Sequence, residues 1–134
     1  MAMLDRDLRY LSVSHDWLVD FNLQSRDLRG LHHYDVFPDL PERWHDVHRR
    51  ALSGEVVRCL LDKMLRADGS EQWVRWEVRP WIDSQDDIGG IIIFREDLSE
   101  MKRAEDSLRN DEQQLRLFIE QIRRASPDYS AEGV

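Results

Sequence analysis

A single imidazole set among tryptophans is the best-placed chemistry in this chain. In Glu42 to Leu52, the residues Trp44, Val47, His48 and Ala51 recur at i, i+3, i+4 and i+7, the spacing of one helix face. His48 is the one polar group on that face, so it is the side chain able to hydrogen-bond a bound molecule or ligate an iron. In Gln72 to Ile82, alternation puts Val74, Trp76 and Val78 on one face of a strand and Trp73 and Trp81 on the other. The first set, joined by Ile92 and Phe94 of the next strand, is the expected inner wall beneath the helix. Such a wall fills a core or lines a small-molecule pocket, which is mostly apolar with few polar groups. Trp73 and Trp81 would leave an apolar patch in water. Another subunit, or the helix from Met101 to Ile122, is expected to cover them.

Other chemistries find less support. His45 and His48 stand at i, i+3, but no third ligand is evident for zinc. His32 and His33 fall in an expected loop and read as solvated. The single cysteine, Cys59, excludes an internal disulfide, and its place in a strand reads as a small hydrophobe. Gly89-Gly90 is a lone pair, not a phosphate cradle. No nucleophile elbow is present, nor the phospho-acceptor and ATP-binding boxes of a kinase, so no catalytic residue is assigned. A net charge of -8 over 134 residues disfavours nucleic acid and anionic membrane surfaces. No apolar run approaches the ~20 residues that span a bilayer. The N-terminus lacks a signal-peptide pattern, and the expected location is the cytoplasm.

The elements that position these residues read as α+β. Met3-Leu4 and Tyr10 to Val13 form short strands around Asp5-Arg6-Asp7. Ser14 or Asp16 caps a short helix carrying Trp17, Leu18 and Phe21. Arg26 to Phe37 is irregular or briefly helical. The helix from Glu42 to Leu52 starts after Pro41 and stops at Ser53-Gly54. Strands over Val56 to Arg66, Gln72 to Ile82 and Ile88 to Arg95 form an antiparallel meander, the first two joined by the turn Ala67 to Ser70. Asp97 then suits an N-cap, with Glu100 three residues on. Met101, Ala104, Leu108, Asp111, Leu115, Phe118 and Ile122 follow in steps of three and four. This is a heptad seam with one polar member. Ser126 to Val134 is small and polar and reads as disordered.

Three stretches together resemble a PAS domain with its C-terminal PAC portion, as in bacterial sensor histidine kinases and diguanylate cyclases: DRDLRYLSVSHDWL, HYDVFPDLPERWHDVHRRALSGE and RADGSEQWVRWEVRPWIDSQDDIGGIIIFREDLSEMKRAEDSL. Asp97-Leu98-Ser99 stands where that family usually has Asp-Ile-Thr. The resemblance implies a five-stranded antiparallel sheet with short helices on one face, a cavity between them, and a C-terminal amphipathic, coiled-coil-like helix. It divides the chain into a sensor domain (1–98), a signalling helix (99–125) and a tail (126–134). It also implies that Asp97 and Ser99 couple the last strand to that helix, commonly through a basic partner. The family's short N-terminal helix is missing here, and Leu115 to Gln121 looks like that segment opening a following repeat, as in a tandem array.

The function so implied is a non-catalytic sensory and dimerisation module of a two-component signalling protein, with its kinase or cyclase output elsewhere. The alternatives are a ligand-free assembly module and a haem-based gas sensor using His48. The expected partners are a second copy, adjacent PAS or output domains and a small-molecule ligand. The second copy would be met through Trp73, Trp81, Met101, Leu108, Leu115 and Phe118. The absence of any cofactor is the favoured expectation, with haem through His48 the minority alternative. Flavin is disfavoured, because flavin-binding relatives present their cysteine on a helix.

Overall fold

The computed structural model describes residues 1–66 and 68–125. Ala67 of the expected turn and the expected disordered tail lie outside the described residues. The chain divides into two compact units between Asp97 and Leu98.

The first unit begins with a hairpin of β1 (Ala2–Asp5) and β2 (Tyr10–Val13). Asp5 Oδ1 accepts from the backbone N–H groups of Asp7 at 2.9 Å and Arg9 at 3.0 Å, a carboxylate doing the work of a turn carbonyl. Ser14 caps α1 (His15–Asp20), its side chain accepting from the Trp17 N–H at 3.3 Å. A single-turn helix, α2 (His33–Val36), follows a loop and is capped by His32, whose Nδ1 accepts from the Tyr34 N–H at 3.0 Å. Then come α3 (Glu42–Leu52), β3 (Val57–Leu65), β4 (Glu71–Ile82) and β5 (Ile88–Asp97).

The five strands form one sheet in the order β2-β1-β5-β4-β3, with every neighbouring pair antiparallel. The last strand is therefore central. Its seat beside β1 requires glycine. A Cβ on Gly90 would stand 1.9 Å from the Leu4 carbonyl oxygen, and one on Gly89 2.2 Å from the Trp81 ring. That ring lies over Gly89, and its Nε1 donates to the Leu4 carbonyl at 2.8 Å. Trp81 is thus tied to β1 within the unit, while Trp73 is half-buried with the Lys63 ammonium 5.9 Å from its ring.

Alternation along β4 holds as expected: Gln72, Val74, Trp76 and Val78 are buried. The expected phase of β5 does not hold. Val78 pairs with Ile93 and Pro80 with Ile91, and directly paired residues share a face. Ile91 and Ile93 are therefore buried, whereas Ile92 is half-buried and Phe94 is 38% exposed on the opposite face. Four consecutive apolar residues offer no alternation, so only the pairing decides.

The second unit is α4 (Ser99–Ala125), 27 residues or ~40 Å long. Its first residue is Ser99, so Asp97 ends β5, one place earlier than an N-cap would stand. Glu105 pairs with Arg109 at 3.0 Å and a half-buried Lys102 with Asp106 at 3.7 Å, i, i+4 contacts worth about 0.2–0.5 kcal/mol each. The apolar stripe of this helix is exposed: Met101 and Phe118 are 60% and 59% accessible, and Leu108 and Leu115 are similar. Among the described residues, no helix is long and apolar enough to cross a membrane.

Candidate functional site

A cavity of about 450 Å³ lies between the helices and the inner face of the sheet. Aromatic rings from four elements line it. Trp17 and Phe21 come from α1 and its C-cap, Phe37 follows α2, Trp44 is on α3 and Trp76 on β4. Trp17 and Phe21 stand one helical turn apart, with centroids at 4.9 Å, and Phe37 meets Phe21 edge-on at 4.8 Å. Trp44 meets Trp76 edge-on at 4.8 Å. The Trp76 Nε1 is satisfied by Asp62 at 2.8 Å, and Asp62 in turn takes Arg43 at 3.1 Å. A register shift in β3 between Cys59 and Asp62 accompanies that contact.

Two histidines line the same cavity, His48 at 2% exposure and His33 at 4%. His48 Nδ1 is hydrogen-bonded to the Tyr34 hydroxyl at 2.8 Å, and His33 Nδ1 to the Tyr10 hydroxyl. Their rings meet edge-on with centroids 5.2 Å apart. Burial disfavours the imidazolium. It lowers His33 to about 3, helped by the neighbouring His48, and His48 to about 4, helped by His45. Both are neutral at physiological pH. The expectation that His33 is solvated therefore fails, whereas His32 is half-buried and caps α2: the backbone N–H of His33 donates to the Leu8 carbonyl at 2.8 Å, which draws the loop against the β1–β2 turn. His45 stacks on the Tyr34 ring at 4.1 Å. Burial raises the Tyr10 phenol above its ordinary range, an effect the Trp17 side chain partly offsets. Trp17 Nε1 itself is buried without a partner in hydrogen-bonding geometry among the described residues.

The far end of the cavity is polar. Arg95, two residues beyond Ile93 on the inner face, donates to Gln72 Oε1 at 2.7 Å and meets Asp20 at 3.4 Å, with its guanidinium 4.8 Å from the Phe21 centroid. Burial lowers its pKa, opposed by the charges of Asp20 and Asp97. Gln72 Nε2 donates to Asp97 Oδ2 at 2.9 Å, and Arg66 reaches the same oxygen at 3.3 Å. A line of hydrogen bonds thus runs from the cavity wall to the last residue of the last strand.

Of the residues expected to line a pocket, Trp44, His48, Trp76 and Val78 do so. Val47 and Val74 are buried beside the cavity without lining it. Ile92 and Phe94 give way to Ile93 and Arg95, for the register reason above. Sequence reasoning missed Phe37, His33, Gln72 and Arg95. Phe37 and His33 carry no periodic signal, while Arg95 follows from Ile93 once the phase of β5 is known. Cys59, on β3, does not line the cavity.

A profile of the PAS fold matches residues 1–103. Among solved structures, the chain is similar to Vibrio cholera VqmA in a complex with ligand and DNA (21% identity, TM-score 0.58), over 73% of this chain and 45% of that one. It thus spans about half the length of the VqmA chains it matches. It is also similar to the LOV domain of the blue-light photoreceptor Aureochrome1 (18% identity, TM-score 0.54), over 84% of this chain and 89% of that one. An RNA-binding light-oxygen-voltage receptor matches at 13% identity and a TM-score of 0.56, over 87% of this chain and 34% of that one. Likeness at these identities is a likeness of fold. A comparison with curated protein sequences found no match.

Proposed function

The chain belongs to the PAS-fold family, and from that premise we propose that it is a non-catalytic, cytoplasmic sensory module. A small molecule in the cavity, or a neighbouring domain, favours one arrangement of the sheet. Asp97 and Ser99 pass that bias to α4. In a homodimer, α4 changes its pairing with the second copy through Met101, Leu108, Leu115 and Phe118, and Trp73 and Trp81 belong to the packing surface. The output is a kinase or cyclase of the parent protein. VqmA, described as a dimer and as a complex with ligand and DNA, is a precedent for a different output.

The observation that supports this reading is the line Arg95–Gln72–Asp97, which gives a molecule touching the cavity wall a polar route to the end of β5. A ligand shifts such an equilibrium only by its differential affinity for the two states, typically ~1–3 kcal/mol. Replacing Asp97 by alanine in the full-length parent is expected to uncouple output while the domain stays folded. A normal response in that variant would remove this route.

The exposed stripe on α4 equally favours a second reading, a ligand-free assembly module. A haem sensor would use His48 as its iron ligand. Native mass spectrometry of purified protein separates the three: a retained small molecule, an empty dimer, or haem with a Soret band that His48→Phe abolishes.

A further inference from the structure

Taken as a ligand site, the reading on which this inference rests, the cavity is unevenly charged. Most of its wall is aromatic, and His33 and His48 stand neutral among the rings. One end holds a guanidinium. Arg95 pairs directly with Trp76 across β4 and β5, so its side chain shares the inner face and rises beside that indole. The side chain is only 10% exposed, and burial lowers its pKa, so the charge is held at a cost.

Its neutralisation is incomplete. Asp20 approaches Nη1 at 3.4 Å, well beyond the ~2.7–2.9 Å of a closed charge-assisted bond. At 30% exposure, that carboxylate can also turn to water. Gln72 Oε1 takes Nη2 at 2.7 Å but brings no charge. The guanidinium lies over the Phe21 ring, 4.8 Å from its centroid, and a ring against that face leaves the in-plane N–H groups free. Nε–H has no partner among the described residues. Nor is it sealed off. Among those residues, Trp17 Nε1 is the one buried side-chain nitrogen or oxygen without a partner, so the Arg95 Nε is open.

A carboxylate takes two N–H groups on one edge of a guanidinium. The neighbouring rings, Trp76 beside Arg95 and Phe37 edge-on to Phe21, suit a flat body behind it. A volume of about 450 Å³ accommodates one or two fused rings. A cation finds two of the ring faces taken, since Arg43 stands 4.6 Å from Trp44 as Arg95 does over Phe21. We infer that the cavity takes a flat aromatic monocarboxylate of one or two rings, its carboxylate on Arg95 in place of Asp20.

The test is titration calorimetry near neutral pH with 2-naphthoate, 2-naphthamide, octanoate and N-methylquinolinium, and ¹H–¹⁵N spectra to locate each. 2-Naphthoate is expected to bind about tenfold tighter than 2-naphthamide, the factor that a charge-assisted bond in a desolvated place supplies. It should bind about threefold or more tighter than octanoate, which cannot stack. It should also move the Arg95 Nε–H and Trp76 indole cross-peaks. Arg95→Gln should abolish the preference for naphthoate over naphthamide. Asp20→Asn should widen it by about threefold, because a competing negative charge is gone. The second variant reads the same contact if the first fails to fold. Preference for the amide, octanoate or the cation would overturn the ligand class but leave the sensory reading standing, as would an unchanged preference in either folded variant. Absence of binding by all four would overturn the class and the ligand site together.

Discussion

Gln72 donates from Nε2 to the Asp97 carboxylate at 2.9 Å while its Oε1 accepts from Arg95 at 2.7 Å, so one buried amide orients both charged side chains. Gln72→Leu keeps the approximate volume and removes both bonds. The expected cost is about 1–3 kcal/mol, because Arg95 loses an acceptor in a desolvated place. Urea unfolding measures it. In the parent protein, the same variant is expected to respond to signal as weakly as Asp97→Ala, and a double variant should add little more.

The register of β5 predicts an asymmetric mutational profile. Ile93→Ala removes a buried side chain packed against Val78 and is expected to cost about 2–5 kcal/mol. Phe94→Ala, on the opposite face, is expected to cost less than about 1 kcal/mol. Equal losses in chemical denaturation would contradict the pairing of Val78 with Ile93.

Gly89 and Gly90 differ in what a methyl group would strike. At Gly90 it meets backbone, 1.9 Å from the Leu4 oxygen, and β1 cannot withdraw without losing its pairing to β5. Gly90→Ala is expected to cost about 3 kcal/mol or more. At Gly89 it meets the Trp81 ring, which can swing aside at the loss of its bond to Leu4, about 1–2 kcal/mol. A red-shifted tryptophan emission in Gly89→Ala, with the fold retained, is the expected signature.

Stability should fall on mild acidification. His33 and His48 titrate near 6.5 in the unfolded chain but at about 3 and about 4 when folded. Below 6.5 the unfolded state binds protons that the native state refuses, so stability declines as pH falls towards 4; above 6.5 these groups contribute no pH dependence. The limiting slope is about 1.4 kcal/mol per pH unit for each histidine. Urea midpoints between about pH 7 and about pH 5 should show this decline, and His48→Phe should roughly halve it.

How legible the molecule is in its sequence varies by element. The face of α3 and the alternation of β4 are readable because each has a clean period, and Trp44, His48 and Trp76 reach the cavity from them. In β5 the run Ile91-Ile92-Ile93-Phe94 has no period, so nothing local distinguishes Ile92 and Phe94 from the Ile91 and Ile93 that the pairing buries. His33 could not be placed by any local rule. Its burial depends on long-range backbone bonds, from His33 to Leu8 and from Tyr10 to Leu31. Asp62 reaches the Trp76 indole beside a register shift that no spacing announces.

Because β5 sits between β1 and β4, the sheet's keystone is the last of its strands to be made. While the chain is being synthesised, the hairpin of β1 with β2 and the hairpin of β3 with β4 share no partner until Ile88 to Asp97 has left the ribosome. For that interval two sticky edges wait unpaired in the nascent chain. Stalling or premature termination before Asp97 leaves two orphaned hairpins, a natural substrate for chaperones and proteases.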